Sequence, residues 1–173
     1  MVFCLPKLEA MRPLTAEEIR HSLVNVDDDE RDTIVLPGLH ETVWEEREFL
    51  GWRDPTHPTR GYIVFWKDNS PTGVAVRAAE SAMPAGRPAM CSLCHTQQPA
   101  PQVSLFVAPK AGKRGRRGDT VGTYLCADLR CSTLIRITPP SSEHLPAPEK
   151  ETGHRAIGIE ERLERFTARV VDD

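Results

Sequence analysis

The chain has 173 residues and a mass of 19.3 kDa, which suits one medium-sized domain or a domain with a small appendage. Hydrophobic residues make up 39% and charged residues 27%, and this composition excludes a wholly disordered chain, a coiled coil and a collagen-like fibre. Residues 60–140 hold 11 Lys and Arg against 4 Asp and Glu, whereas both flanking parts are acidic. A basic middle part favours a polyanion or an acidic protein surface as its partner, unless the ends and the middle simply neutralise each other.

The sequence also indicates where the protein resides. No stretch has the roughly 18 consecutive apolar residues of a membrane span. Pro6 and Lys7 interrupt the N-terminal hydrophobic residues too early for a secretory signal. We therefore expect a soluble, cytoplasmic protein that makes no membrane contact.

The N-terminal part is predicted to be helical. Thr15 and Glu18 form the pattern of a capping box, and apolar residues at helical spacing predict about three turns after it. The acidic run at residues 27–30 opposes a helix C-terminus and is expected to lie beyond the helix. A second short helix is predicted around residues 43–49, followed by a turn at residues 51–55.

Extended segments occupy the middle of the chain. Residues 61–66 and 73–77 are rich in β-branched and aromatic residues and predict a β-hairpin. After a proline-containing linker at residues 82–88, residues 103–107 and 121–125 predict a second hairpin with a long loop over residues 109–119.

Helices are predicted again toward the C-terminus. Residues 129–137 have helical character, residues 138–150 have a loose, Pro- and Ser-rich composition, and residues 155–171 form an amphipathic helix. Its apolar positions recur at 4-3-4 spacing and are Ile159, Leu163, Phe166 and Val170. The predicted fold class is α+β, with antiparallel β-hairpins between flanking helices.

Four of the five cysteines occur in two close pairs. The first pair is a CxxC motif and the second follows about thirty residues later, a frequent arrangement of structural zinc sites. The four residues are Cys91, Cys94, Cys126 and Cys131. Residues five apart on one regular helix point about 140° away from each other. We therefore expect Cys126 at the end of a strand, a turn at residues 127–128, and Cys131 in the first turn of the next helix, which is a treble-clef layout.

Three other interpretations of these cysteines remain at this point. His95 is a rival ligand beside Cys94, and with it the site would keep an open position for metal-dependent catalysis. In the second interpretation the four cysteines are buried thiols without a metal, and in the third the CxxC motif is a redox pair.

If all four cysteines bind the metal instead, four thiolates would leave no open coordination position, which predicts one structural Zn²⁺. Apparent binding energies of about 10–16 kcal/mol would then supply much of the folding free energy of a small lobe.

The predicted hairpin loop at residues 110–119 is strongly basic. It includes Lys113, Arg114, Arg116 and Arg117 and three glycines, which predicts a flexible cationic segment able to pair with phosphates or carboxylates. The alternative is a solvated loop without a partner. The loop contains no aromatic residues, so base stacking is not supported.

Several stretches together resemble the elongation factor G-binding protein family of the FusB or FBP type, which has a C-terminal treble-clef zinc finger. The matching stretches are residues 49–55 (FLGWRDP), residues 91–94 (CSLC), residues 118–126 (GDTVGTYLC) with Cys131, and the helix at residues 155–170. The resemblance covers roughly residues 40–170. It implies an N-terminal helical segment over residues 1–40 and an FBP-type domain over residues 41–173, with a zinc-finger lobe at residues 88–137.

The resemblance also implies a function. In this family the zinc-finger lobe docks onto the translational GTPase elongation factor G and promotes its release from the ribosome, and resistance members thereby protect translation against fusidic acid. The four paired cysteines would be the zinc ligands. Tyr124, Phe106 and Phe166 are hypothetical partner contacts, with core packing as the alternative for both phenylalanines.

We accordingly expect a zinc-binding protein that is not an enzyme, has no small-molecule substrate and acts on elongation factor G. Its basic loop would touch the acidic surface of that factor or ribosomal RNA. The alternative function is a zinc-stabilised RNA- or ribosome-binding module without a dedicated protein target.

Overall fold

A computed structural model of the chain describes residues 11–81, 83–137 and 148–172, and of residues 148–150 it describes the backbone only. Within these ranges it has five α-helices, seven β-strands and three short 3₁₀ turns. The helices are α1 (Ala16–Ser22), α2 (Asp28–Arg31), α3 (Gly112–Arg116), α4 (Cys131–Ile137) and α5 (Pro148–Val171). The strands are β1 (Leu50–Arg53), β2 (Arg60–Lys67), β3 (Ser70–Ala78), β4 (Pro88–Met90), β5 (Gln97–Pro99), β6 (Val103–Pro109) and β7 (Thr120–Cys126). None of the helices in the described ranges has the length and apolar character needed to span a bilayer.

Five strands form one antiparallel sheet in the order β1-β2-β3-β6-β7. Both predicted hairpins are confirmed, as β2–β3 and β6–β7. Asp68 and Asn69 form the two-residue turn of the first hairpin with φ of 46° and 62°, the left-handed conformation that matches the twist of a tight hairpin. The register of the second hairpin runs from Val103 opposite Cys126 to Pro109 opposite Thr120, so one cysteine lies at the end of β7.

The sheet has a hydrophobic core on each face. Alternate residues of β2 divide between the two cores, because successive side chains of a strand point to opposite faces. Ile63 and Phe65 pack in the core that contains α5 and the zinc-finger cysteines. Tyr62 and Val64 pack in the core formed by residues 11–52. The predicted α+β class, with antiparallel strands and flanking helices, is therefore confirmed.

The N-terminal part differs from its prediction in several places. The Thr15–Glu18 capping box is present, but α1 has only 7 residues. The acidic run lies beyond α1, as predicted, but forms the separate helix α2. Two 3₁₀ turns, Leu39–Glu41 and Trp44–Glu46, replace the helix predicted around residues 43–49. The reason is that Trp44 is buried against the sheet without a repeating apolar stripe that would sustain a helix.

The turn predicted at residues 51–55 begins later. Leu50–Arg53 forms β1, which pairs with β2, and the chain turns only after Asp54. The Asp54 carboxylate accepts hydrogen bonds from the backbone N–H groups of Thr56 (2.7 Å) and His57 (3.1 Å). The pairing of Gly51 and Trp52 with β2 therefore outweighs the local preference for a turn.

Other segments also have more structure than predicted. A small two-stranded sheet, β4–β5, flanks the first cysteine pair, and the basic loop contains α3. The C-terminal helix begins at Pro148, before the predicted start at residue 155, so residues 148–150 are helical. The rest of the segment predicted to be loose, residues 138–147, lies outside the described residues. The division of the chain at residue 40 and the limits of the zinc-finger lobe, residues 88–137, stay predictions.

Candidate metal centre

The four paired cysteines converge on one point. Cys91 and Cys94 come from the turn after β4, Cys126 ends β7 and Cys131 begins α4. All four Sγ atoms lie within 4.8 Å of one another. The Cys91–Cys131 and Cys94–Cys126 Sγ distances are 3.6 Å and 3.7 Å, and each side chain is at most 2% exposed. The predicted treble-clef arrangement of knuckle, hairpin and helix is confirmed.

This cluster has the dimensions of a zinc site. A tetrahedral ion with Zn–S bonds of about 2.3 Å separates its sulfur ligands by about 3.8 Å, close to the two distances above. Four soft thiolates in a closed, buried cluster are the donor set of structural zinc. The protein therefore binds one structural Zn²⁺ through these residues.

The four thiols lie close enough to change one another's protonation. Hydrogen bonds with Cys126, then Cys131 and Cys91, lower the pKa of Cys94. Hydrogen bonds with Cys126, then Cys91 and Cys94, raise the pKa of Cys131 well above its ordinary value. Four thiols this close cannot all ionise alone, whereas a divalent cation displaces their protons and neutralises the resulting charge.

The first cysteine pair is held in a tight knuckle. The Cys91 carbonyl accepts a hydrogen bond from the His95 N–H (2.9 Å), and the Leu93 N–H donates to the Cys91 sulfur (3.4 Å). His95 itself has a φ of 53° and an exposed side chain. It lies outside the group of four possible ligands, so the fourth donor of the site is a cysteine.

The second cysteine pair is separated by a turn, as predicted. Leu129 takes the left-handed conformation with a φ of 58°, and its N–H donates to the Cys126 carbonyl (2.9 Å). The amide of the buried Gln98 donates to the Cys126 sulfur (3.3 Å). Such a hydrogen bond stabilises a metal-bound thiolate.

The motif at residues 49–55 fastens this turn to the sheet. A Cβ atom at Gly51 would lie 2.3 Å from the Leu129 carbonyl oxygen, so only glycine allows β1 to approach the turn this closely. The Arg53 guanidinium donates to the Ala127 carbonyl (2.7 Å). The sequence shows the motif but not this role, because the contact joins residues more than seventy positions apart.

Two arginines of α5 hold the opposite side of the lobe. Arg162 Nε donates to the Leu93 carbonyl within the first knuckle (2.5 Å). Arg155 donates to Thr96 Oγ1 (2.5 Å) and to the Ile135 carbonyl (3.3 Å). Sequence reasoning missed both residues because it treated α5 only as an apolar stripe. Both arginines lie on the polar flank of the helix, and this position was the signal that could have identified them.

A groove of about 320 Å³ lies between the first knuckle, β7 and α5. Three arginines and one carboxylate are among its lining residues, which include Thr123, Glu161, Arg162, Arg165 and Arg169. Tyr124 follows Thr123 on β7, and its carbonyl accepts a hydrogen bond from the Ser92 N–H (2.7 Å). The zinc knuckle therefore forms one wall of a basic groove.

The aromatic residues predicted as partner contacts differ in exposure. Tyr124 is 43% exposed, whereas Phe106 is 0% and Phe166 is 5% exposed. Both phenylalanines pack in the core between the sheet and α5. The contact role predicted for them is therefore corrected to core packing, and Tyr124 keeps a surface that a partner can reach.

The basic loop is more ordered than predicted. Gly112 has a φ of 64°, and a Cβ atom at Gly115 would lie 1.8 Å from the Lys110 carbonyl oxygen, so glycines permit the compact helix α3. Arg114 forms an ion pair with Asp119 (2.8 Å) and Arg116 with Asp27 (3.7 Å). Lys113 and Arg117 are exposed, and among the described residues neither has an ion pair.

Comparisons with known proteins give the family. A comparison with curated proteins finds no match. Among solved structures, the fusidic acid resistance protein FusC is similar, with 16% sequence identity and a TM-score of 0.49. The similarity covers 83% of this chain and 57% of the FusC chain, so this chain spans little more than half the length of that protein. Residues 18–170 match the family described as the FBP C-terminal treble-clef zinc finger, which confirms the resemblance, and the chain belongs to this family.

Proposed function

We propose that this protein binds elongation factor G through its zinc-finger lobe and promotes release of the factor from the ribosome. Membership of the FBP family supports the choice of partner. The observation that carries the proposal is the basic groove between the knuckle, β7 and α5. It is a preformed surface whose shape depends on the zinc site.

The chemistry of the zinc site supports binding rather than catalysis. Four cysteine thiolates fill all four positions of a tetrahedral zinc ion. A substrate or water molecule therefore has no open position on the metal. In this proposal the ion contributes shape, and the protein acts without catalysing a reaction.

The surface of the lobe has the features of a protein interface. Tyr124 offers a partly exposed aromatic ring, and tyrosine is enriched among the residues that contribute most to binding. Arg165 and Arg169 line the groove, which Thr123 faces, and the Tyr124 ring lies on the other face of β7 because successive side chains of a strand alternate. An acidic surface on the factor would complement this charge and accelerate association.

Ribosomal RNA is the second candidate partner, and the exposed cations of α3 favour it. Lys113 and Arg117 are free of ion pairs within the described part of the chain, so they are available to phosphates. A phosphate contact of this kind is independent of sequence and weakens as the salt concentration rises. In this alternative the zinc stabilises an RNA-binding module.

A calorimetric titration against purified, nuclease-treated elongation factor G tests the proposal. We expect the wild-type chain to bind and Tyr124→Ala to weaken binding at least about tenfold, or about 1.4 kcal/mol. Val35→Ala is the control, because Val35 is similarly exposed at 38% but is not part of the lobe. The absence of wild-type binding, or equal losses in both variants, would contradict the proposal.

A parallel experiment separates the two partners. Lys113→Ala with Arg117→Ala should reduce the salt dependence of binding to ribosomes. Partner capture that disappears entirely after nuclease treatment would favour the RNA-binding module. Co-sedimentation of elongation factor G with ribosomes tests the release step, and we expect the added chain to move the factor from the pellet to the supernatant.

A further inference from the structure

A second basic pocket lies apart from the zinc cluster and the groove. It has a volume of about 230 Å³ and lies between the 3₁₀ turn Trp44–Glu46 and α4. Arg47, Arg130 and Arg136 line it together with Glu46, Thr133 and two aliphatic side chains. Neither the family match nor the proposed function assigns a role to this place.

The positive charge in this pocket is only partly neutralised. Arg136 pairs with the buried Glu48 carboxylate at 2.8 Å. For Arg47 and Arg130, no carboxylate of the described residues lies within 4.0 Å. The Arg47 Nε atom is buried and has no hydrogen-bond partner in the described part of the chain. Burial lowers the pKa of Arg47 and the charges of Arg130 and Arg136 lower it further, while the carboxylates of Glu46 and Glu48 offset part of this effect. A bound anion would relieve both effects.

The walls of the pocket are fixed to each other. The Glu48 N–H donates to Ser132 Oγ (3.2 Å), and Arg136 donates both to the Ser132 carbonyl (2.7 Å) and to Glu48. These bonds join the segment after the 3₁₀ turn to α4, which begins at the zinc ligand Cys131. The guanidinium groups are therefore presented by a rigid frame, which limits the entropy lost on binding.

The rim of the pocket indicates what kind of anion fits. Ile137 is 71% exposed and Val43 is 50% exposed, and both line the pocket. An inorganic phosphate or a nucleic-acid backbone would leave these aliphatic groups in water. A peptide that carries a carboxylate next to an aliphatic side chain would use both features.

We propose that this pocket docks an acidic segment of a partner protein, with a Glu or Asp carboxylate on Arg47 and Arg130 and a neighbouring aliphatic side chain on Val43 and Ile137. The site is separate from the groove between the knuckle, β7 and α5. The proposal therefore stands whether or not elongation factor G binds to that groove.

NMR spectroscopy of the ¹⁵N-labelled, zinc-loaded chain tests this site. The probe is the capped peptide acetyl-Leu-Glu-Glu-amide, and acetyl-Leu-Gln-Gln-amide is its neutral match. We expect the acidic peptide to shift the Arg47 and Arg130 Nε–Hε resonances saturably and to bind at least about tenfold more tightly than the neutral peptide. Equal binding of the two peptides would overturn the proposal.

Variants keep the test independent of folding and of the other surface. Arg130→Gln should weaken peptide binding at least about tenfold, whereas Tyr124→Ala should leave it unchanged. Arg47→Gln is the corresponding variant at the other arginine. If it fails to fold, Arg47→Lys is used in its place because it retains the charge. A loss in Tyr124→Ala equal to that in Arg130→Gln would overturn the assignment.

Two further results would overturn the proposal by showing that something other than a partner peptide occupies the pocket. Binding of inorganic phosphate as tight as that of the acidic peptide would indicate a simple anion site. A shift of the Arg47 resonance in Glu143→Gln without added peptide would indicate that residues 138–147 of the chain itself, which lie outside the described residues, fill the pocket.

Discussion

The close approach of β1 to the turn between Cys126 and Cys131 leads to a quantitative prediction for Gly51→Ala. The added Cβ atom would lie 2.3 Å from the Leu129 carbonyl oxygen and 2.7 Å from Phe49 Cε2. The oxygen belongs to the backbone, so β1 and the turn must move apart. Overpacking of this kind costs about 1–3 kcal/mol. With an m value of about 2 kcal/mol per molar, a loss of about 2 kcal/mol lowers the urea midpoint by about 1 M.

The assay is urea unfolding of the zinc-loaded protein, followed by tryptophan fluorescence. Gly122→Ala is the matched control, because Gly122 also lies in an edge strand but the nearest atom to its Cβ position is 3.7 Å away. We expect this control to change stability by less than about 1 kcal/mol. A Gly51→Ala midpoint equal to that of the wild type, or to that of Gly122→Ala, would refute the reasoning.

Three further predictions concern the zinc site, the buried carboxylate of Glu48 and the half-buried carboxylate of Glu160. Cys131→Ser should lose the bound zinc, whereas Cys4→Ser should retain one equivalent, as measured by metal analysis of the purified proteins. Arg136→Leu leaves the carboxylate of Glu48 buried without its partner and should cost about 3 kcal/mol in urea unfolding, and Arg136→Lys should recover part of this loss. Burial raises the pKa of Glu160 to about 7, so the folded state retains this proton more strongly than the unfolded chain. The stability that this proton contributes is therefore lost as the pH rises from about 4.5 through about 7. Above about pH 7, Glu160→Gln should unfold at a higher urea concentration than the wild type, and below about pH 4.5 it should not.

Local patterns were sufficient to predict much of the metal site. The spacing of the four cysteines, together with the geometry of a helix, placed Cys126 at a strand end and Cys131 at a helix start, and the structure confirms both positions. The two hairpins were also predictable, because β-branched residues, aromatic residues and turn residues act over short distances. The apolar spacing in α5 identified its buried side, including Ile159 and Leu163.

Contacts between distant parts of the chain were not predictable in the same way. The strand β1 depends on pairing with β2, which lies later in the chain. The spacing of the apolar residues around Phe106 does not indicate whether they face a core or a partner. The support of the zinc knuckle by Arg162, and of the second turn by Arg53, depends on hydrogen bonds to backbone carbonyls. Such bonds leave no characteristic residue pattern at the accepting end.

Extended X-ray absorption fine structure at the zinc edge of the zinc-loaded protein tests the central claim most directly, because it reports the atoms bound to the metal. A closed site made by the two cysteine pairs predicts four sulfur neighbours at about 2.3 Å and no lighter neighbour. A nitrogen or oxygen neighbour at about 2.0–2.1 Å, with only three sulfurs, would contradict it. That result would mean that the metal has a non-cysteine ligand or a position open to solvent.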